Sequence, residues 1–181
     1  MKNITIFGGS EPKPGQLSYE EAFRLGRLLA LSGYTVVTGG YIGTMEAASR
    51  GAAEAGGHVI GVTCDEIEVY RRTGPNPWVK EEIRYSTLRE RIFSLIQLSD
   101  AALALPGGPG TLAEVSMMWN HLLIKAIAPR PLILIGSGWQ ETMNLFIHSF
   151  ASYIQNGHEH LLQFVPDVDT AVERLNLTFN L

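Results

Sequence analysis

The residues whose types and spacing best suit chemistry are Pro106-Gly107-Gly108-Pro109-Gly110-Thr111, with Glu114 three positions further on. Glycines accept backbone angles and approach distances closed to other residues, so several amide N–H groups can converge on one anion. Thr111 adds a hydroxyl, and a helix beginning here would aim its unpaired N–H groups and positive dipole end at the same point. The pattern predicts a phosphate loop with Gly107, Gly108, Gly110 and Thr111 as its contacts. Glu114 can close a capping box with Thr111, stand beside the bound group, or do both. Next to a sugar, a carboxylate can stabilise the positive charge that develops as an N-glycosidic bond breaks, or position a water.

Two further loops could line the same crevice. Gly39-Gly40-Tyr41-Ile42-Gly43-Thr44 follows one apolar run, and Gly8-Gly9-Ser10 follows another. Gly9, Ser10, Gly39, Gly40, Gly43 and Thr44 are therefore candidate binding residues, although Ser10 and Thr44 can equally cap the adjoining structure. Neither loop has the three-glycine spacing of a dinucleotide site, and no Gly-Lys-Ser or Gly-Lys-Thr is present, which weighs against hydride transfer and nucleoside triphosphate hydrolysis. Arg89 and Arg91 flank Glu90. Two apart on a helix, the arginines cannot share a face, so one enters the crevice and the other meets solvent or a partner. An arginine beside a phosphate offers a planar, permanently charged fork.

The five histidines form no metal-ligand set, so no metal is expected. Cys64, the lone cysteine, reads as a buried thiol. Trp78 either packs or stacks on a base. None of the lysines sits by the phosphate loop, which argues against pyridoxal phosphate chemistry.

These loops need elements to hold them. Ile4–Phe7, Tyr34–Thr38, His58–Val62, Ala101–Leu105 and Pro131–Ile135 are continuously apolar runs that read as buried strands. Between them lie helical patterns: Ser18 to Gly33, Thr44–Ala55, Thr87–Leu98, Leu112 to Ile127 and Gln140 to Asn156. A short strand at Phe164-Val165 and a helix over Val168–Leu175 close the chain. Repeated strand, loop and helix predict a three-layer, doubly wound, Rossmann-like α/β fold with a mostly parallel sheet, forming one nucleotide-binding domain over residues 1–181. Cys64–Glu82, polar and carrying Gly74-Pro75-Asn76-Pro77, reads as a loop or lid over the strand ends.

The net charge of -4 argues against a broad nucleic-acid face. The start has no secretion signal and no apolar run reaches membrane-spanning length, so a cytoplasmic protein is expected. With 45% hydrophobic and 18% charged residues, the surface is lightly charged, and spare apolar surface of that kind suits a second subunit.

Gly9-Ser10, Gly39-Gly40 with Gly43, Arg91, and Pro106 through Glu114 together resemble the LOG-like family, whose members include cytokinin riboside 5'-monophosphate phosphoribohydrolases and were often mislabelled lysine decarboxylases. The resemblance covers most of positions 1 to 125. It implies that Glu114 and Arg91 are catalytic with Glu90 beside them, that the protein is a homodimer, and that a nucleoside 5'-monophosphate is hydrolysed to free base and ribose 5-phosphate without a metal or redox cofactor. Leu88-Arg89-Glu90-Arg91-Ile92 departs from the family's Met-His-Glu-Arg-Lys, and Tyr41-Ile42 and Glu46 stand where small residues are frequent. The expected substrate is therefore a purine nucleotide such as AMP, or a related phosphosugar. The alternative is a non-catalytic carrier of a nucleotide or of molybdenum cofactor.

Overall fold

A computed structural model describes residues 1–154 and 157–180. Seven strands form one wholly parallel sheet: β1 (Asn3–Phe7), β2 (Thr35–Thr38), β3 (Val59–Cys64), β4 (Glu81–Tyr85), β5 (Ala101–Ala104), β6 (Leu132–Ile135) and β7 (Gln163–Val165), in the order β4-β3-β2-β1-β5-β6-β7. The helices are α1 (Leu17–Leu31), α2 (Thr44–Glu54), α3 (Asp65–Arg71), α4 (Leu88–Gln97), α5 (Pro109–Leu123), α6 (Ser137–Ser149) and α7 (Val168–Phe179). The Rossmann-like, doubly wound expectation holds.

The central strands are buried along their whole length because helices cover both faces. On one face Ile4, Ile6, Val36 and Leu103 pack with Leu25, Leu29 and Leu175 of α1 and α7, and with the alanines of α2. On the other, Phe7, Val37, Val62 and Ala102 meet Leu95, Ile96, Val115 and Met118 of α4 and α5. The chain builds outward from β1 to β4, returns through α4, and resumes on the far side of β1, where Ile4 pairs with Ala101 and Phe7 with Ala104.

Residues 64–82 are not simply a loop. They contain α3 and the start of β4, whose Glu81, Glu82 and Arg84 are exposed on the sheet edge. Only an edge strand tolerates that polarity, and it hides the alternation by which strands are recognised. The helix expected over Gln140–Asn156 begins earlier, at Ser137, and also ends earlier, at Ser149 with Phe150 as its C-cap, while Asn156 itself lies outside the described residues. His158 to Leu161 form a short 3-10 turn.

Candidate active site at the sheet switch point

β1 and β5 are neighbours, but the chain leaves them toward opposite faces, through α1 and α5, which makes the carboxyl edge above them the topological switch point of the sheet, the place where open α/β sheets take ligands. The three glycine loops converge there. The Gly9 amide donates to the Pro106 carbonyl at 3.2 Å, and the Gly9 carbonyl accepts from both the amide and the hydroxyl of Thr44 at 2.9 Å. Thr44 thus ties the first loop to the second. Ser10 is half-buried against Gly43, whose φ of +75° opens α2.

The phosphate loop differs from expectation in where its helix starts. α5 begins at Pro109, a residue suited to the first helical position because it lacks an N–H and has its φ preset. Gly108 is the N-cap, with φ −91° and ψ −158°, and no side chain caps it. Thr111 and Glu114 consequently lie inside the helix, both buried on one face, and the capping box that the sequence allowed between them does not form. A capping box forms at α4 instead. Glu90 accepts from the Thr87 amide at 3.1 Å and from its hydroxyl at 2.7 Å, while the Thr87 hydroxyl accepts from the Glu90 amide. Glu90 is exposed and engaged in that cap, and Arg89 is exposed as well.

Of the two arginines, Arg91 turns inward and is 4% exposed. Its guanidinium crosses the ends of β3 and β2: Nε donates to the Val62 carbonyl at 2.8 Å, Nη2 to the Gly39 carbonyl at 3.1 Å, and Nη1 reaches Glu114 Oε1 at 3.4 Å. Gly39 is required by this crossing, since a Cβ there would collide with Arg91 Nη2 and the Met45 sulfur. Gly39 therefore acts from inside the site by making room for Arg91.

Burial drives the Glu114 carboxyl up to about 7 despite the opposing pull of Arg91. Near neutrality such a group is divided between acid and carboxylate, so it can accept or release a proton.

Pro106 to Gly110, the loop after β5 and the opening of α5, are exposed. Gly107 is demanded by the chain itself, because a Cβ would strike the Thr111 hydroxyl. Gly108 and Gly110 are not: neither has a positive φ, and a Cβ on either would meet no atom of the chain within 4 Å.

Sequence reasoning missed Tyr41 and Asn76. The Tyr41 ring lies fully buried with the Arg91 guanidinium 5.6 Å from its centre, and Asn76 bonds the backbone of the Gly40-Tyr41 loop. An asparagine in a Gly-Pro-Asn-Pro cluster was legible only as a turn residue. Trp78 packs on Arg50, 5.7 Å from its ring, and Cys64 is buried as expected. Among the described residues no group of three His, Cys, Asp or Glu side chains could hold a metal ion, and no helix is long and apolar enough to cross a membrane.

The chain is similar to several known proteins. The chain is 31% identical over 181 residues to a probable cytokinin riboside 5'-monophosphate phosphoribohydrolase of Oryza sativa subsp. japonica, covering 97% of this chain and 78% of that protein. It is 27% identical to the cytokinin riboside 5'-monophosphate phosphoribohydrolase of Rhodococcoides fascians, over 86% of this chain and 75% of that one. The solved structure of the molybdenum cofactor carrier protein of Chlamydomonas reinhardtii superposes with a TM-score of 0.74 at 26% identity, covering 99% of both chains. The SLOG cluster4 family matches residues 1–146, a span that holds all three glycine loops, Arg91 and Glu114, and to that family this chain belongs.

Proposed function

We propose that the protein hydrolyses the N-glycosidic bond of a nucleoside 5'-monophosphate, a purine nucleotide such as AMP, to free base and ribose 5-phosphate. The observation that carries this reading is the buried Arg91–Glu114 pair, whose carboxylate lies on the helix that the exposed Pro106–Gly110 segment opens. The 5'-phosphate lies on the amides of that loop and the first turn of α5, where Gly108 and Gly110 let it approach the backbone. Arg91 then faces the ribose phosphate, and Glu114 faces the anomeric carbon. As the bond to the base nitrogen breaks, the Glu114 carboxylate stabilises the positive charge on the sugar and orients a water. The water oxygen joins C1', the bond electrons leave with the base, and one water proton ends on the base nitrogen. The activity of the phosphoribohydrolases to which the chain is similar supports the same class of hydrolysis.

The reading includes a cytoplasmic homodimer, with Phe93 and Met117, exposed on α4 and α5, as the apolar surface for the second copy. A second reading, carriage of a phosphorylated cofactor without hydrolysis, is favoured by the likeness to the molybdenum cofactor carrier. Chromatographic detection of products from AMP and from adenosine separates the two. Hydrolysis predicts equal amounts of adenine and ribose 5-phosphate from AMP and at least about a hundredfold less adenine from adenosine, since the phosphate loop then lacks its anion. Saturable AMP binding with no product contradicts the hydrolase and leaves the carrier.

A further inference from the structure

Tyr41 has a setting that the hydrolysis scheme leaves unused. It belongs to the loop after β2, yet its side chain is fully buried and its hydroxyl is held twice by one residue of β3, donating to the Cys64 carbonyl at 3.0 Å and accepting from the Cys64 amide at 2.8 Å. The ring held this way lies against the Arg91 guanidinium, 5.6 Å from centroid to Cζ. A desolvated cation over an aromatic ring is attracted by the ring's negative face.

The backbone that carries Tyr41 is fixed from a third direction. Asn76 is 7% exposed, and its amide donates to the Gly40 carbonyl at 2.7 Å. Its Nδ2 donates to the carbonyls of Gly40 at 3.0 Å and Tyr41 at 2.9 Å, while its Oδ1 accepts from the Trp78 amide at 3.1 Å. The segment expected to be a lid thus serves at Asn76 as a strap on the second glycine loop. Gly40, with φ +79°, takes the turn that lets both carbonyls face Asn76.

We propose that Tyr41 and Asn76 are positioning residues, a clamp that sets the Arg91 guanidinium against Glu114. Besides Glu114, four groups surround the guanidinium: the Val62 carbonyl, the Gly39 carbonyl, the Met45 sulfur and the Tyr41 ring. Two of the four, Gly39 and Tyr41, belong to the loop that Asn76 and Cys64 hold. Removing the clamp frees that wall, and the 3.4 Å separation of Arg91 Nη1 from Glu114 is the contact it would lengthen. Arg91 is the charged group that acts on Glu114, and it acts to keep the carboxyl lower than burial alone would.

The role in catalysis rests on the hydrolase reading, but the clamp itself is testable without substrate. The Glu114 carboxyl is followed by carbon NMR titration in glutamate-labelled wild type, Tyr41→Leu, Tyr41→Phe and Asn76→Ala. The wild-type midpoint near 7 is expected to move upward in Tyr41→Leu and Asn76→Ala, with Tyr41→Phe, which keeps the ring, lying between. Base release from AMP is expected to fall about tenfold in Tyr41→Leu, with its pH profile displaced in the same direction. An unmoved midpoint in folded Tyr41→Leu or Asn76→Ala overturns the clamp, and if Tyr41→Leu does not fold, Asn76→Ala decides. Failure of wild type to release base overturns the hydrolase instead and leaves the titration to judge the clamp.

Discussion

The glycine loops that follow β2 and β5, Gly39–Thr44 and Gly107–Thr111, read alike in sequence and are built differently. The first is satisfied from within: the carbonyls of residues 39 to 41 accept from Arg91 and Asn76, and the Thr44 hydroxyl is engaged by Gly9. Its glycines answer to positive φ or to the guanidinium that passes beside Gly39. The second is exposed, and at Gly108 and Gly110 neither φ nor neighbouring atoms call for glycine. On the hydrolase reading proposed above, glycine at these two positions leaves the backbone open to an approaching phosphate. On that reading one wall positions a charge, and the other receives one.

The largest effect that would sharpen this contrast is the pH dependence of stability on the positioning wall. Glu114 titrates near 7 in the fold against 4.5 ordinarily, so between those values the folded chain holds a proton that the unfolded chain has lost. Stability is fully present below the unfolded value and declines as pH rises through the folded one, by about 3 kcal/mol in all. Denaturant melts from pH 4 to 8 should show this decline in wild type and not in Glu114→Gln. Equal slopes in the two proteins would mean that Glu114 is not held in a desolvated site.

Glycine substitutions test the comparison itself. Gly39→Ala drives a Cβ into Arg91 Nη2 and the Met45 sulfur and is expected to cost about 1–3 kcal/mol in a thermal or denaturant melt. Gly108→Ala should change stability by less than about 0.5 kcal/mol, and Gly110→Ala, inside the helix, should gain about 0.5–1 kcal/mol. Both should weaken AMP binding about tenfold by calorimetry, because the added methyl occupies the approach to the amides. If instead Gly39→Ala is silent, or Gly108→Ala binds AMP as wild type does, the division of labour between the loops is broken.

The receiving wall was legible in sequence because it is local. Pro106 to Glu114 is one continuous stretch that holds the glycines, the hydroxyl and the carboxylate, and helix geometry showed that only one of Arg89 and Arg91 can turn inward, while the family resemblance singled out Arg91. The strands beneath these residues were equally legible, since continuously apolar runs bounded by glycines admit few other readings. The positioning wall was not. Tyr41 and Asn76 are 35 residues apart, and their meeting depends on α3 and β4, the two elements whose polar sequences concealed them. The boundary of α5 also misled, because a helix opened by Pro109 after an uncapped glycine puts Thr111 and Glu114 a turn deeper than a capping box would.

The most direct measurement is the release of adenine and ribose 5-phosphate from AMP by wild type and by Glu114→Gln, with AMP affinity determined for both. The account predicts comparable affinity and a loss of base release of about a hundredfold or more in the variant. Undiminished release by Glu114→Gln would contradict the central claim that the buried Glu114 carboxyl carries the hydrolysis.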